Sequence, residues 1–288
     1  MKNILSLFNG ISAMHLALIE ANKTFDQVYY AEIDKHANKV TETRFPEDIA
    51  LGDVLNWKNW DIDWSSIDLI GAGFPCQSWS LAGKQLGDKD PRGQLFWTTL
   101  EIIAHAKKNN PNVKFVMENV KMKKEFEDYI TEHTTAALGQ ITKALINSSL
   151  VSAQNRKRFY WTNFPVKQPK DRNIKLSDIV EANFSKDSCF QGGAVRGRYN
   201  PDGSTTQRLE INNQEKSNAL TTVQKDSVLV FKNKNQEVIF RNFTALERER
   251  LQGFPDHWTA EIPKTQRRKA LGNAWNVDTI VEILSCLD

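Results

Sequence analysis

The 288-residue sequence predicts a doubly wound α/β fold with a smaller, loop-rich part attached, and three observations lead to it. Residues 1–162 alternate short apolar runs with helix-like segments, the pattern of a parallel sheet with crossover helices. Residues 163–241 break that pattern: they are polar, dotted with Gly and Asn, and hold only short apolar pieces. Residues 242–288 turn helical again.

Each element has its own local reason. Residues 2–8 read as a first strand, and 12–22 as a helix with apolar Met14, Leu16, Leu18 and Ile19. Residues 27–33 form the second strand and 35–44 the next helix. The run 67–74, Ile-Asp-Leu-Ile-Gly-Ala-Gly-Phe, is a buried strand ending in a turn; 95–106 is amphipathic and 113–118 is another strand. Gln154, Arg156 and Arg158 fall at period two on what reads as one strand, and so share a face. Within the loop-rich part 227–231 is a short strand. Residues 245–252 and 267–287 then read as helices, the second with apolar Val277, Ile280, Val281, Ile283 and Leu284 seeking a partner on the first domain.

With 40% hydrophobic and 25% charged residues, most of the chain is not disordered. No stretch approaches the roughly 18 apolar residues of a membrane span, and the start lacks the core and cleavage site of a signal peptide, so a cytoplasmic protein without a membrane partner is expected. Cys76, Cys189 and Cys286 are too few for a disulfide framework, and no pair has zinc spacing. The net charge of +3 says little, but between Val151 and Thr244 there are 16 basic against 9 acidic residues, leaving 22 against 26 elsewhere. This surplus suggests a surface for a polyanion, although charge alone suits a solvated lysine-rich face equally well.

In a sheet of this kind ligands bind beyond the carboxyl ends of the strands. Phe8, Asn9 and Gly10 stand there after strand one, where a glycine either admits a ligand or simply makes the turn. Glu32, Ile33 and Asp34 follow strand two, an acid placed to bond ribose hydroxyls, and Asp53 with Val54 puts a further carboxylate nearby; either acid also suits a helix cap. Three such features in order suggest a nucleoside cofactor.

Cys76 follows Pro75 at the end of the 67–74 strand, where a nucleophile would face that cofactor, though an isolated cysteine is more often a buried hydrophobe. Glu118 ends a neighbouring strand, where burial favours the acid form, and Arg156 and Arg158 supply fixed cations. Together they suit one chemical problem. Carbon 5 of cytosine is a poor nucleophile, but a thiolate adding at carbon 6 makes an enamine whose carbon 5 can attack a methyl sulfonium. An acid at N3 drains the developing charge, and an arginine holds the O2 edge.

The sequence resembles the DNA cytosine-5 methyltransferase family over nearly its whole length. Phe8-Asn9-Gly10 is similar to that family's opening cofactor motif, Gly73-Phe74-Pro75-Cys76-Gln77-Ser78 to its Pro-Cys motif, Glu118-Asn119-Val120 to its Glu-Asn-Val motif, and Gln154-x-Arg156-x-Arg158 to its Gln-x-Arg-x-Arg motif. Residues 248–255, Arg-Glu-Arg-Leu-Gln-Gly-Phe-Pro, and Leu271-Gly272-Asn273-Ala274 resemble the two motifs after the recognition domain. The resemblance implies a Rossmann-like S-adenosylmethionine-dependent methyltransferase sheet with helices on both faces, plus a small loop-rich, β-containing target recognition domain. It makes 1–162 the catalytic and cofactor-binding domain, 163–241 the recognition domain, and 242–288 helices returning to the first. Cys76 becomes the nucleophile, Glu118 the N3 acid, Arg158 the main base-edge arginine and Arg156 its support. Phe8, Gly10, Glu32, Ile33, Asp53, Val54, Pro75, Leu95 and Asn273 would line S-adenosylmethionine. Residues 78–93, with Gly83, Gly87 and Arg92, resemble the mobile loop that closes on flipped DNA.

Two departures stand out. Ser12 occupies a place where many relatives have glycine, which puts a side chain near the methionine moiety, and Ala274-Trp275 replaces a common Ser-Val, which puts an indole near the cofactor. The expected partner is double-stranded DNA, met by a monomer, with a cognate restriction endonuclease as a further partner. A silent DNA-binding relative has no need for Cys76, Glu118 and Arg158 together. A transfer-RNA methyltransferase of the same mechanism stays open as a rival, although a basic recognition domain of roughly 80 residues favours a duplex reader.

Overall fold

The computed structural model describes residues 1–75, 93–181, 189–212, 214–232 and 235–287. Cys76 and most of the expected loop at 78–93 therefore lie outside the described residues. In chain order the elements are β1 (Asn3–Leu7), α1 (Ala13–Glu20), β2 (Gln27–Ala31), α2 (Lys35–Arg44), β3 (Ile49–Gly52), β4 (Ile67–Ala72), α3 (Gln94–Asn109), β5 (Lys114–Val120), α4 (Lys124–Leu138), β6 (Thr142–Asn147), β7 (Gln154–Asn155) and β8 (Lys157–Thr162). They continue with α5 (Leu176–Ile179), β9 (Gln191–Tyr199), β10 (Thr205–Ile211), β11 (Ser217–Asn218), β12 (Val228–Lys232), β13 (Val238–Asn242), α6 (Ala245–Leu251), α7 (Lys264–Asn273) and α8 (Val277–Leu284).

The chain divides into two compact units. The first comprises Met1–Ile146, Lys157–Gln168 and Ile280–Asp288. Its seven-stranded sheet has the order β3-β2-β1-β4-β5-β8-β6. β1 runs parallel to β2 and β4, β2 to β3, and β4 to β5, whereas β8 runs antiparallel to β5. The sheet is mixed rather than wholly parallel because the link from β6 to β8 is too short for a helical crossover. Strand order reverses at β1, which places a ligand crevice at the carboxyl ends of β1 and β4. Leu5, Ile70, Phe96, Ile103, Phe115 and Trp161 form the apolar layer beneath it, each fully buried, at about 1.5–3 kcal/mol per large apolar side chain. The indole of Trp161 also donates to Thr131 Oγ1 at 2.9 Å, fastening α4 to β8.

The second unit comprises Asn147–Arg156 and Pro169–Thr279. It holds a four-stranded antiparallel sheet, β10-β9-β12-β13, and a separate parallel pair, β11 with β7. Leu176, Phe190, Leu220, Leu229, Phe243 and Leu251 build its own core.

Three expectations change. Gln154, Arg156 and Arg158 do not share one strand: β7 joins the two-stranded pair, β8 joins the seven-stranded sheet, and Arg156 lies between them. The helix expected over 267–287 is two, since Ala274 is extended and its carbonyl is taken by side chains instead of a helical N–H. Finally, residues 244–279 group with the second unit, because Gln154, Arg156 and Gln252 bind them to it internally.

Candidate active site

The turn after β1 is built from left-handed backbone. Phe8 has φ 55°, Gly10 φ 58° and Ser12 φ 65°, a region that glycine enters freely and other residues at about 1–2 kcal/mol. Side chains compensate. Asn9 Nδ2 donates to Ser12 Oγ at 3.0 Å and to Thr41 Oγ1 at 3.1 Å, Ser6 Oγ donates to Asn9 Oδ1 at 2.8 Å, and the Ser12 and Thr41 hydroxyls bond at 2.7 Å. All four residues are buried, so each bond lost leaves a buried polar group a partner short. Ser12 therefore turns its side chain into this network toward α2, which is how a non-glycine residue is accommodated here.

Glu32 clamps the same turn to the end of β2. Its Oε2 accepts from Gly10 N, and its Oε1 from Ile33 N and Asp34 N, all at 2.8 Å. Three of about four acceptor directions are thus filled by main chain. Asp34 caps α2 through His36 N and Ala37 N. On the next strand outward, Asp53 Oδ1 accepts from Leu55 N at 2.9 Å, while its second oxygen has no partner among the described residues. Val54 is buried, but Ile33 is 74% exposed and Leu55 61%, leaving apolar surface at the strand ends beside two carboxylates.

A second cluster forms at the ends of β4 and β5. Glu118 is 8% exposed and its Oε1 lies 2.9 Å from Arg158 Nε. Val120 is the register partner of Arg158 and Glu118 that of Tyr160, so the antiparallel entry of β8 is what sets this pair side by side. The neighbouring Asn119 donates to the Phe74 carbonyl at 3.1 Å and accepts from Val120 N. One motif thereby presents a carboxylate and also holds the main chain two residues before Cys76. Phe74 is buried against Phe96, Pro75 is half-buried, and Leu95 packs on the core at the start of α3. These residues stand on the same sheet edge as the Phe8–Gly10 turn, since β1, β2, β3, β4 and β5 are mutually parallel.

Arg156 and Asn273 belong to the second unit. Arg156, 3% exposed, donates to the carbonyls of Leu220 at 3.0 Å and Ala274 at 2.8 Å, so its guanidinium holds main chain. Gln154 does likewise for Leu251 and accepts from Leu220 N. Asn273 is exposed at the end of α7. Gly272 before it is required by close approach: a Cβ there would lie 2.5 Å from the Thr221 carbonyl carbon. In the 248–255 motif, Glu249 receives His257 N, Thr259 N and Arg267. Burial, and then the charge of Arg268, push the Arg248 guanidinium down to about 10, so it stays protonated at neutral pH.

A family model described as C-5 cytosine-specific DNA methylase matches residues 2–237 and 173–287. The chain belongs to that family. The methylase is 29% identical over 303 residues to the Type II methyltransferase M1.ScrFI of Lactococcus lactis subsp. cremoris, covering 96% of this chain and 75% of that one. It is 30% identical over 306 residues to the Type II methyltransferase M.NgoBI of Neisseria gonorrhoeae, covering 97% and 91%. A DNMT2 variant from Spodoptera frugiperda superposes with a TM-score of 0.67 at 22% identity, over 100% of this chain and 99% of that one. Dnmt2 of S. pombe gives 0.67 at 18%, over 100% and 98%. The fold is thus the Rossmann-like methyltransferase sheet, and the enzyme is a methyltransferase of the cytosine-5 DNA class.

Sequence reasoning had no means of finding Thr41. It carries no motif and sits 29 residues from Ser12, and its role exists only through its hydrogen bonds to Ser12 and Asn9.

Proposed function

We propose that the methylase transfers a methyl group from S-adenosylmethionine to carbon 5 of a cytosine flipped out of duplex DNA, through a covalent bond from Cys76 to carbon 6. The observation that carries this reading is the Glu118–Arg158 pair beside the anchored Phe74 carbonyl. It offers an acid and a forked donor to the N3 and O2 edge of a pyrimidine where the chain leads into Cys76. A base inside a duplex is out of reach of such a site, hence the flip. The thiolate of Cys76 forms the C6–S bond while Glu118 delivers a proton to N3 and Arg158 holds O2. S-adenosylmethionine supplies, when bound, an electrophilic methyl carbon. Loss of the C5 proton to solvent water then breaks the C6–S bond and returns the thiolate, and N3 gives its proton back to the Glu118 carboxylate.

The residues present fit that cofactor: exposed Ile33 and Leu55 supply apolar surface for a base, and the free oxygen of Asp53 an acceptor. Phe8, Gly10, Glu32, Val54, Pro75 and Leu95 complete the proposed lining. Residues 163–241 would choose the sequence, leaving the chemistry to 1–162 and 242–288. The relatives' Type II names support a cognate restriction endonuclease as partner, and the proposal is completed by a monomer acting in the cytoplasm. Among the described residues no helix is long and apolar enough to cross a membrane.

Methyl transfer measured side by side on duplex DNA and transfer RNA tests the substrate. Labelled cytosine in DNA alone is expected, and labelling of transfer RNA alone would overturn the reading. The cofactor turn has its own test. Thr41→Val keeps the shape of the side chain but leaves Ser12 and Asn9 each a buried partner short, at about 1–3 kcal/mol. S-adenosylmethionine affinity, read by calorimetry, should fall roughly tenfold, whereas Thr41→Ser should restore it and binary DNA binding should not change. Equal affinity in Thr41→Val would remove Thr41 from the positioning of the turn.

A further inference from the structure

β9 and β10 pair along seven positions, from Tyr199 opposite Thr205 to Gly193 opposite Ile211. The inner end is supported, since β9 also pairs with β12 and Ala194 is buried. Beyond Val195 that support ends. Arg196, Gly197, Arg198, Tyr199 and the facing 205–208 are all exposed, Tyr199 to 88%, so the outer half of the hairpin is bare on both faces. A two-stranded ribbon is marginal in water on its own. This one is held at its tip by polar bonds: Asn200 N donates to Ser204 O, and Asn200 Nδ2 donates to the hydroxyls of Ser204 and Thr206.

Residues directly opposite in an antiparallel pair share a face. Arg196 with Arg208, and Arg198 with Thr206, therefore stand on one side, with Glu210 one position further in. Arg196 and Arg208 are like charges set directly across from each other, an unfavourable pair in an isolated sheet. Glu210 is the one carboxylate on this face, shared by Arg196 at 3.6 Å and Arg198 on half-exposed side chains. Such exposed pairs are weak and readily exchanged for another anion. Arg208 makes no side-chain hydrogen bond or ion pair among the described residues. Three cations against one anion is repulsive alone and favourable against a polyanion.

We infer that the outer half of the β9–β10 hairpin enters the major groove of duplex DNA with its Arg196, Arg198 and Arg208 face toward the base edges, Arg208 reading a guanine. The dimensions agree. Four residues beyond the support extend about 14 Å, and paired strands lie about 4.8 Å apart. The major groove is about 12 Å wide and 8.5 Å deep and admits a two-stranded ribbon, in which arginine to guanine O6 and N7 is the commonest specific contact. The deep, narrow major groove of A-form RNA does not admit it.

The inference rests on the proposal that residues 163–241 choose the sequence, and the test separates the two. Bisulfite sequencing of a random-sequence duplex library methylated by the wild type defines the recognised site. Arg208→Ala should then methylate sites that differ at one base pair, with discrimination there reduced roughly 5- to 150-fold and the melting temperature unchanged. Arg208→Lys should not restore it, since an ammonium lacks the fork. Weakening of all sequences alike, with the log-log salt slope of binding reduced by about 0.9, would make Arg208 a phosphate contact and overturn the inference. An unchanged pattern would overturn it too. In parallel, residues 163–241 are grafted onto a relative of different specificity. An active chimera that keeps its host's pattern sinks the assignment of the segment itself, whereas a chimera that changes pattern while Arg208→Ala does not sinks the hairpin alone.

Discussion

Cys76→Ala is expected to abolish methyl transfer while leaving DNA binding intact. The proposed reaction makes cytosine C5 nucleophilic only by adding a thiolate at C6, and the methyl group of an alanine cannot supply that nucleophile. Phosphate contacts, which dominate affinity, do not involve the thiol. The wild type should also be trapped on duplex DNA carrying 5-fluorocytosine at its site, because fluorine in place of the C5 proton blocks the elimination that breaks the C6–S bond. The adduct should survive denaturation on a gel and be absent with Cys76→Ala. Turnover by the alanine variant, or no adduct from the wild type, would falsify the assignment. The structure bears on this prediction from one side only: Asn119 holds the carbonyl of Phe74, two residues before the cysteine. Asn119→Ala should accordingly slow the reaction less than Cys76→Ala, since it loosens the approach to the nucleophile without removing it.

Glu118→Gln is the second large effect. A carboxylic acid at N3 can give up a proton and an amide cannot, and general acid catalysis contributes on the order of 100- to 10,000-fold. The single-turnover rate should fall by that factor, with DNA affinity little changed. Glutamine is the informative substitution because its amide oxygen can still accept from Arg158 Nε, which stands 2.9 Å from the carboxylate. Alanine would leave Arg158, whose side chain is only 14% exposed, without its carboxylate, and would confound loss of acid with loss of structure. A single-turnover rate for Glu118→Gln equal to the wild type would take Glu118 out of the mechanism.

Much of the first unit was legible because its signals are local. β1, β2, β4 and β5 are apolar runs too short for helices and bounded by turn residues, and the structure has strands there. β3, α4 and β6 were missed. The strand Ile49–Gly52 is largely exposed, and Thr142–Asn147 has a short Ala-Leu-Ile run of which only Ile146 is buried, so neither reads as a buried strand. α4 buries only Ile130, Thr134 and Leu138 along its length, a stripe too thin to stand out in a polar segment.

What the sequence by itself determined about this methylase is which residue types stand at which strand ends: Phe8 and Gly10 after β1, Glu32 and Ile33 after β2, Cys76 beyond β4 and Glu118 at the end of β5. Turn chemistry and reaction chemistry both constrain a residue's type at its own position, so they can be read one position at a time. The tertiary structure decided who meets whom. Arg156 looked like a partner of Arg158 and instead holds the carbonyls of Leu220 and Ala274. Ser12, an anomaly in the sequence, is accommodated through Thr41. Arg158 reaches Glu118 because β8 runs antiparallel to β5, and Arg208, on the edge strand of its sheet, has no side-chain partner among the described residues. Hydrogen-bond partners and exposure are properties of surfaces brought together from distant parts of the chain, and no pattern within one segment encodes them.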